Sequence, residues 1–453
     1  MKRRAANVSV GEESRGGSYY CARRATSVIT AIIRVPNPNP FRDSVRSSQN
    51  FNRVVLGPVV GSLVEAANFV TPQNPASLAP MIDRTSSSLS SILQASTNLS
   101  VDSKNALKQT IYPAIQPVLR ALSIYSSISL SHNSDFAINN AAASLLLLLL
   151  SILTALNKEV GTDFKVLVIS TLVEGLSSIT PSATPLTLSQ TIVIRMLNKT
   201  LLTVFSSKSS SLTPVIASAM DLIANKVSPI CKANDDNTAS LLPSLLSTTY
   251  VILVCQWSTI TFKETPIASP SRLVGIKVAG MPNMPRRPLM LVPGIKDSLK
   301  KSPSRVKPEF AALFELLCSL FLFSIQADNL SPTVVSKGVK MLLGLGRKTK
   351  FFHCINFRDN MRPTFVSAIL SDLLKLNQPL LVDDMNLLLF EMVSSDFNGF
   401  FNSILPGMID SMGITNEEKI SMMETWSREE DNVTFRQSCE NFLSEFRFYQ
   451  NSV

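Results

Sequence analysis

The feature that most constrains this chain is a series of helical segments with one apolar face, which recurs along most of its length. Apolar residues return at every third or fourth position, as Leu107, Ile111 and Ile115 do, and this is the period of a helix that buries one side. Successive pairs of segments lie about 40–50 residues apart, a spacing typical of HEAT-type repeats. Because each pair buries its face only against the next, the pattern predicts an all-α, HEAT-type helical-repeat solenoid (an α-α superhelix).

Turn residues such as Thr180-Pro181-Ser182 and Gln378-Pro379 separate the segments. No stretch alternates between apolar and polar residues with period two, so the sequence does not predict a sheet. The predicted helices are 104–129, 136–158, 163–177, 190–206, 212–226, 238–260, 309–325, 332–346, 362–375, 379–394, 397–412 and 432–450.

Positive charge is concentrated in two stretches outside these helices. Residues 1–46 hold nine Lys/Arg and three Asp/Glu, a net of +6, and residues 263–307 hold ten Lys/Arg, two Asp/Glu and seven Pro, a net of +8. Since the whole chain carries +10, the remaining residues sum to −4. The sequence therefore predicts a basic, disordered tail over 1–46, helical repeats over 47–262, a Pro-rich basic loop over 263–307 and C-terminal helical repeats over 308–453.

The basic loop is interpreted as a solvated surface loop, and contact with a partner is the alternative. Proline fixes φ and like charges repel each other, so an extended surface segment is predicted. The run Lys300-Lys301-Ser302-Pro303 is also a candidate phosphorylation or localisation element. Nucleic-acid binding is not predicted, because the basic residues do not cluster on a folded face. The candidate partner contacts are Lys277, Arg286, Arg287, Lys300 and Lys301.

Residues for catalysis or metal binding are scarce. The chain has two His and six Cys, without a C-x-x-C motif or any metal-ligand spacing. Gly344-Leu345-Gly346 lacks the Gly-Lys-Ser/Thr of a phosphate loop and is interpreted as a helix end. Adjacent His353 and Cys354 would point about 100° apart on a helix, which is poor geometry for a nucleophile and its base. The sequence predicts no catalytic residue, cofactor site or metal site, hence no enzyme, and reduced, buried thiols.

Two uncharged segments are compatible with an alternative class, a membrane-spanning protein. Residues 136–156 and 240–262 carry no charge over 21 and 23 positions and are long enough to span a bilayer. Polar residues dilute both, and the strongly apolar part of the first is only Ala141–Leu156. We expect a central core helix and no membrane contact, with a multi-span membrane protein as the alternative.

The last predicted helix carries an aromatic stripe. Its aromatic residues follow one another at intervals of seven, four and three residues: Phe435, Phe442, Phe446 and Tyr449. Asp431 or Asn432 is the candidate capping residue. We expect the stripe to dock on the preceding helix pair, and a surface for a partner is the alternative.

The C-terminal motifs resemble those of exportins in the importin-β (karyopherin) superfamily. These motifs are Ser394-Ser395-Asp396-Phe397-Asn398-Gly399-Phe400-Phe401, Leu405-Pro406 and the closing run 442–449. Weaker similarity at 160–164 and 307–310 extends the resemblance over about residues 140–453. The matching positions are packing residues, so they indicate the family and not a chemistry.

The resemblance implies a nuclear transport receptor that shuttles between nucleus and cytoplasm. It implies export of protein cargo, actin–profilin in that family, together with Ran-GTP and contacts to nuclear pore proteins, without a cofactor or nucleic acid. The N-terminal repeats that hold Ran in the family are not recognisable, so we expect this chain to represent a C-terminal portion that binds cargo weakly and regardless of the nucleotide on Ran. A HEAT-repeat scaffold without a transport role is the alternative.

Overall fold

The chain divides at Cys255 into two compact units, which are described separately as the N-terminal unit (1–255) and the C-terminal unit (256–453). The predicted basic tail and most of the predicted basic loop lie outside the described residues. The computed structural model describes residues 56–96, 99, 101–130, 135–157, 160–177, 186–207, 210–232, 235–263, 303–327, 330–376, 378–410, 416–426 and 432–452.

Helices make up almost all of the described N-terminal unit. The helices are α1 (Gly57–Phe69), α2 (Ala79–Ala95), α3 (Val101–Ile111), α4 (Ile115–Ser129), α5 (Phe136–Ala155), α6 (Gly161–Ser177), α7 (Leu188–Phe205), α8 (Thr213–Asp221), α9 (Ser228–Lys232) and α10 (Asp235–Cys255). The predicted helix 104–129 is broken at Tyr112–Ala114, because Pro113 cannot donate a backbone hydrogen bond and its ring crowds the preceding turn. Helices α1 and α2 were not predicted; α2 contains five Ser, a residue that favours caps and turns over helix interiors.

These helices pack in two rows. One row runs α2, α5, α7, α10 and the other runs α1, α4, α6, α8, each helix contacting the next in its row. The rows also contact each other, α1 against α2 and α4 against α5. This is the paired stacking that the helical period predicted, and it confirms an all-α helical-repeat fold.

Side chains from one repeat hydrogen-bond to the next along the first row. Gln94 Nε2 donates to Ser151 Oγ at 3.3 Å, Asn139 Nδ2 to Ser189 Oγ at 3.3 Å, and Asn198 Nδ2 to Ser244 Oγ at 3.3 Å. The partners lie 57, 50 and 46 residues apart, which is close to the repeat period. Polar residues of apolar helices therefore serve as links between repeats.

Two described helices are long and apolar enough to cross a bilayer, α5 and Pro308–Gln326, and of these only α5 lies in a segment that suggested the membrane alternative. Helix α5 is packed against α2, α4 and α7, and 67% of its most apolar window is buried among them. Its polar residues Asn139 and Ser151 bond to neighbouring helices, which favours the core-helix interpretation. In the second predicted segment the helix ends at Cys255, so its apolar part, Ser240–Cys255, is too short to meet the same length criterion.

The C-terminal unit combines helices with one small sheet. Its elements are α11 (Trp257–Ile260), β1 (Thr261–Lys263), β2 (Ser304–Val306), α12 (Pro308–Gln326), α13 (Pro332–Thr349), α14 (Arg362–Lys375), α15 (Val382–Val393), α16 (Phe397–Gly399), α17 (Leu405–Asp410), α18 (Asn416–Thr425) and α19 (Asn432–Ser452). Helix α12 contacts α14, and α13 contacts α15, which contacts α19, so alternate helices again stack in rows.

Helix α19 closes the stack with its aromatic stripe inward. Phe435, Phe442 and Phe446 are at most 5% exposed, and the Phe442 ring lies 4.9 Å from the buried indole of Trp426. The prediction that the stripe docks on preceding helices is confirmed for these three residues. The Tyr449 side chain and Asp431 lie outside what the structure describes.

Candidate partner-binding groove

A two-stranded antiparallel sheet holds together the two ends of the predicted basic loop. Strands β1 and β2 pair Thr261 with Val306 and Lys263 with Ser304. The backbone N–H of Val306 also donates to Asn356 Oδ1 at 2.9 Å, which fixes the sheet to the helical stack. The ends of the stretch 263–307 are thus strands and not loop. The sequence did not predict them, because three-residue strands are too short to show alternation.

The five predicted partner contacts cannot be placed on this sheet or elsewhere. Lys277, Arg286, Arg287, Lys300 and Lys301 all lie outside the described residues. What the structure places is the base of the loop, where β1 and β2 border a groove of about 1040 Å³. We call it the basic groove; its lining is Trp257, Ser258, Thr261, Phe262, Lys263, Pro303, Ser304, Lys348, Thr349, Lys350, His353, Arg358 and Ser395.

The charge of the basic groove comes from three separate places in the sequence. Lys263 is on β1, Lys348 and Lys350 lie at the C-terminal end of α13, and Arg358 lies in the turn that leads into α14. No carboxylate is among the lining residues that the structure describes. Lysines also suit this helix end, where the exposed carbonyl groups carry partial negative charge. The lining has a formal charge of +4 when His353 is neutral.

The end of α13 differs in detail from the interpretation of Gly344-Leu345-Gly346 as a glycine helix end. Lys350, and not a glycine, adopts the left-handed conformation after the helix, with φ 56° and its N–H on Gly346 O at 3.0 Å. Gly346 is required for another reason, since a Cβ there would lie 2.3 Å from the Phe352 ring. This turn brings Lys350 into the groove lining.

Aromatic packing makes one wall of the basic groove rigid. The half-buried Trp257 ring lies 6.3 Å from Phe314 and 5.9 Å from Phe351, both of which are fully buried. Phe262, which is 40% exposed, and Pro303 extend the apolar surface. An occupant would therefore meet lysines and an apolar wall together.

His353 and Cys354 do not form a nucleophile and base. Burial, followed by the charge of Lys350, holds the pKa of His353 below its ordinary value, although Glu391 opposes the shift. Burial raises the pKa of the Cys354 thiol in spite of several hydrogen bonds to it, whereas an activated nucleophile needs a lowered one. Among the described residues no group of three His, Cys, Asp or Glu is placed to hold a metal ion.

Stacked helix pairs define the class of this chain, a helical-repeat protein. Within that class, residues 292–452 match the family model described as exportin-6, C-terminal TPR repeats. The chain is 27% identical over 118 residues to exportin-6-A of Xenopus laevis, and these residues are 26% of this chain and 10% of that protein. It is 26% identical over 145 residues to exportin-6 of Homo sapiens, covering 32% of this chain and 12% of the relative.

Residues 292–452 are thus similar to the C-terminal repeats of exportin-6, and this similarity confirms the resemblance to exportins for this part of the chain. The matches cover only about a tenth of the curated relatives' length. The weaker similarity proposed for residues 140–291 lies outside the matched family model and stays a prediction.

Proposed function

We propose that this chain supplies C-terminal repeats of a nuclear transport receptor of the exportin type, which carries protein cargo from the nucleus to the cytoplasm. The observation that carries the proposal is the match of residues 292–452 to the exportin-6 C-terminal repeats, on a unit built of stacked helix pairs. Such stacks offer extended binding surfaces and need no reaction chemistry, in keeping with a carrier that binds and releases.

The partners proposed for the chain are those of the family: actin–profilin or another protein as cargo, Ran-GTP as the regulator, and nuclear pore proteins during passage. Cooperation between cargo and Ran requires two sites on one body and a coupling free energy of about 1–3 kcal/mol between them. We propose that the chain supplies a cargo-contacting surface, and that cargo binding to this chain alone does not depend on the nucleotide bound to Ran.

Photobleaching in living cells tests the transport role whatever the cargo is. The chain is fused to a fluorescent protein, and the cytoplasm is bleached repeatedly while nuclear fluorescence is followed. A shuttling receptor exchanges, so nuclear fluorescence should fall within minutes. The matched control is an unrelated helical-repeat protein of similar mass in the same fusion. Nuclear fluorescence that persists as long as in the control would favour the scaffold alternative.

A further inference from the structure

We propose that the basic groove binds an acidic segment of a partner protein, whose carboxylates contact Lys263 and Lys350 while an apolar side chain of the segment packs against Trp257 and Phe262. Nothing in the comparisons assigns a ligand to this groove. The inference goes beyond the transport role and does not depend on it, because a scaffold with this groove would bind the same segment.

Charge is the first argument. Lys263, Lys348, Lys350 and Arg358 line one concave surface, and no carboxylate is among its described lining residues. Of the neighbouring acids, Asp359 pairs with one of these lining cations, Arg358, at 2.7 Å, and Glu391 pairs with Arg347, which is outside the lining, at 3.7 Å. A concave surface lined by one sign of charge raises the local concentration of ligands that carry the opposite charge. An acidic ligand is therefore favoured over a neutral or basic one.

The shape of the groove argues for a peptide segment over a small anion. Its volume of about 1040 Å³ is slightly above the range of pockets for drug-sized ligands, about 300–1,000 Å³. The apolar residues Trp257, Phe262 and Pro303 come from the side of α11 and the sheet, together with Lys263, whereas the other lining cations come from the end of α13 and the segment before α14. A single phosphate or carboxylate would leave the apolar wall uncovered. A peptide with both side-chain types would cover both walls.

The groove is also largely fixed in shape. The backbone at Lys263 is held by the pairing of β1 with β2, the backbone at Lys350 by its hydrogen bond to Gly346, and the Trp257 ring by its contacts with Phe314 and Phe351. A site that is already ordered loses little conformational entropy when a ligand binds.

Peptide titration of the full chain tests the proposal. The probe is a fluorescein-labelled, twelve-residue peptide of Glu and Asp with one central Phe; the matched peptide carries Gln and Asn in place of the acids. We expect saturable binding of the acidic peptide, weakened as salt is raised from ~0.05 to ~0.5 M because screening shortens the reach of charge. We expect no measurable binding of the matched peptide at either salt concentration.

Charge variants locate the site. The double variant Lys263→Glu/Lys350→Asn lowers the charge of the groove by three, and Arg195→Gln/Lys199→Glu applies the same change to exposed residues of α7. Asn is chosen at 350 because it tolerates the left-handed conformation. We expect about a tenfold or greater loss of affinity in the groove variant and less than about a twofold change in the control, since nearby opposite charges dominate such binding. Circular dichroism verifies that both variants are folded.

A titration with the same acidic peptide without its fluorescein label, followed by the Trp fluorescence of the chain, gives an independent local signal. The chain has two Trp, and only Trp257 lines the groove while Trp426 is 2% exposed in the core. Binding should change the emission of wild type and of Trp426→Phe, but not that of Trp257→Phe. The proposal is overturned if the groove variant binds like wild type, if the Trp257→Phe signal persists, if the uncharged peptide binds equally well, or if a twelve-nucleotide single strand binds more tightly than the acidic peptide.

Discussion

The guanidinium of Arg362, at the start of α14, donates from Nη2 to Asp396 Oδ2 at 2.9 Å, although the two residues are 34 positions apart. The other oxygen of the carboxylate, Oδ1, accepts the backbone N–H of Gly399 at 2.9 Å and caps the start of α16. A Cβ on Gly399 would lie 2.3 Å from Asp396 Oδ2. In the Ser-Asp-Phe-Asn-Gly motif that resembles exportins, Asp396 thus joins Arg362 to the start of α16, and we call this Arg362–Asp396 pair the clasp. The close approach of Asp396 explains why residue 399 is a glycine.

Loss of this clasp should destabilise the C-terminal unit. Asp396→Ala leaves the guanidinium of Arg362, whose side chain is 7% exposed, without its carboxylate. Breaking a buried pair costs about 3–5 kcal/mol, and the partial exposure of Asp396 favours the lower figure, about 3 kcal/mol. Urea unfolding followed by Trp fluorescence measures this loss in the free energy of unfolding, because both Trp are in this unit.

The control Asp359→Ala removes an exposed pair, Arg358–Asp359, and should cost less than about 1 kcal/mol. Equal losses in the two variants would contradict the role of the clasp.

The same pair predicts a dependence of stability on pH. Burial alone would raise the pKa of Asp396, but the hydrogen bonds from Gly399 and Arg362 and the charges of Arg362 and Arg358 outweigh burial and hold the pKa below its ordinary value. A depressed pKa stabilises the fold above the unfolded pKa, about 3.9, and this stabilisation is lost as pH falls through the lower folded value. The stability difference between wild type and Asp396→Asn should therefore be constant near neutral pH and shrink below about pH 4. A difference that does not change with pH would contradict the assignment.

Two phenylalanines of α19 form a matched pair for testing the aromatic stripe. Phe442 is 1% exposed and Phe448 is 69% exposed. Phe442→Ala should lower the free energy of unfolding by about 3–5 kcal/mol, because it leaves a cavity in the core. Phe448→Ala on the same helix should change it by about 0.5 kcal/mol or less. Urea unfolding of the two variants provides the comparison, and a small loss for Phe442→Ala would mean that the stripe is not core.

Thiol labelling tests the burial of the cysteines. Cys231, Cys318, Cys354 and Cys439 are buried and unbridged, whereas Cys255 is partly exposed. Burial raises the pKa of the Cys231 thiol to about 12, so almost no reactive thiolate is present at neutral pH. Under native conditions Cys255 should be alkylated before these four, as peptide mapping by mass spectrometry would show. Labelling of Cys231 as fast as Cys255 would contradict the packing of the N-terminal unit.

The helices and the buried stripe were predictable from sequence because both depend on local periodicity. Phe435, Phe442 and Phe446 share one face of a single helix, so their spacing alone indicates what they do. The spacing of helix pairs also predicted the repeat fold, since stacking is a contact between neighbours in the sequence.

The clasp and the basic groove were not predictable in this way. Arg362 and Asp396 meet only because α14 and α16 are brought together, and the groove collects Lys263, Lys350 and Ser395 from distant positions. The predicted partner contacts followed the density of basic residues in the loop, whereas the described lysines of the groove come from a strand and a helix end. The left-handed Lys350 carries no sequence signal, because glycine is the usual residue there.

Titration of the purified chain with actin–profilin tests the proposed transport function most directly. Calorimetric titrations are carried out with actin–profilin alone, with Ran-GTP added and with Ran-GDP added. An unrelated helical-repeat protein replaces the chain in the control. We predict saturable binding with a dissociation constant in the micromolar range, where 1 μM corresponds to a binding free energy of about −8 kcal/mol. The dissociation constant should be the same with either form of Ran. Absence of binding in all three arms would contradict the role of this chain as a cargo-binding part of an exportin. Tighter binding with Ran-GTP than with Ran-GDP would contradict the proposed independence from Ran.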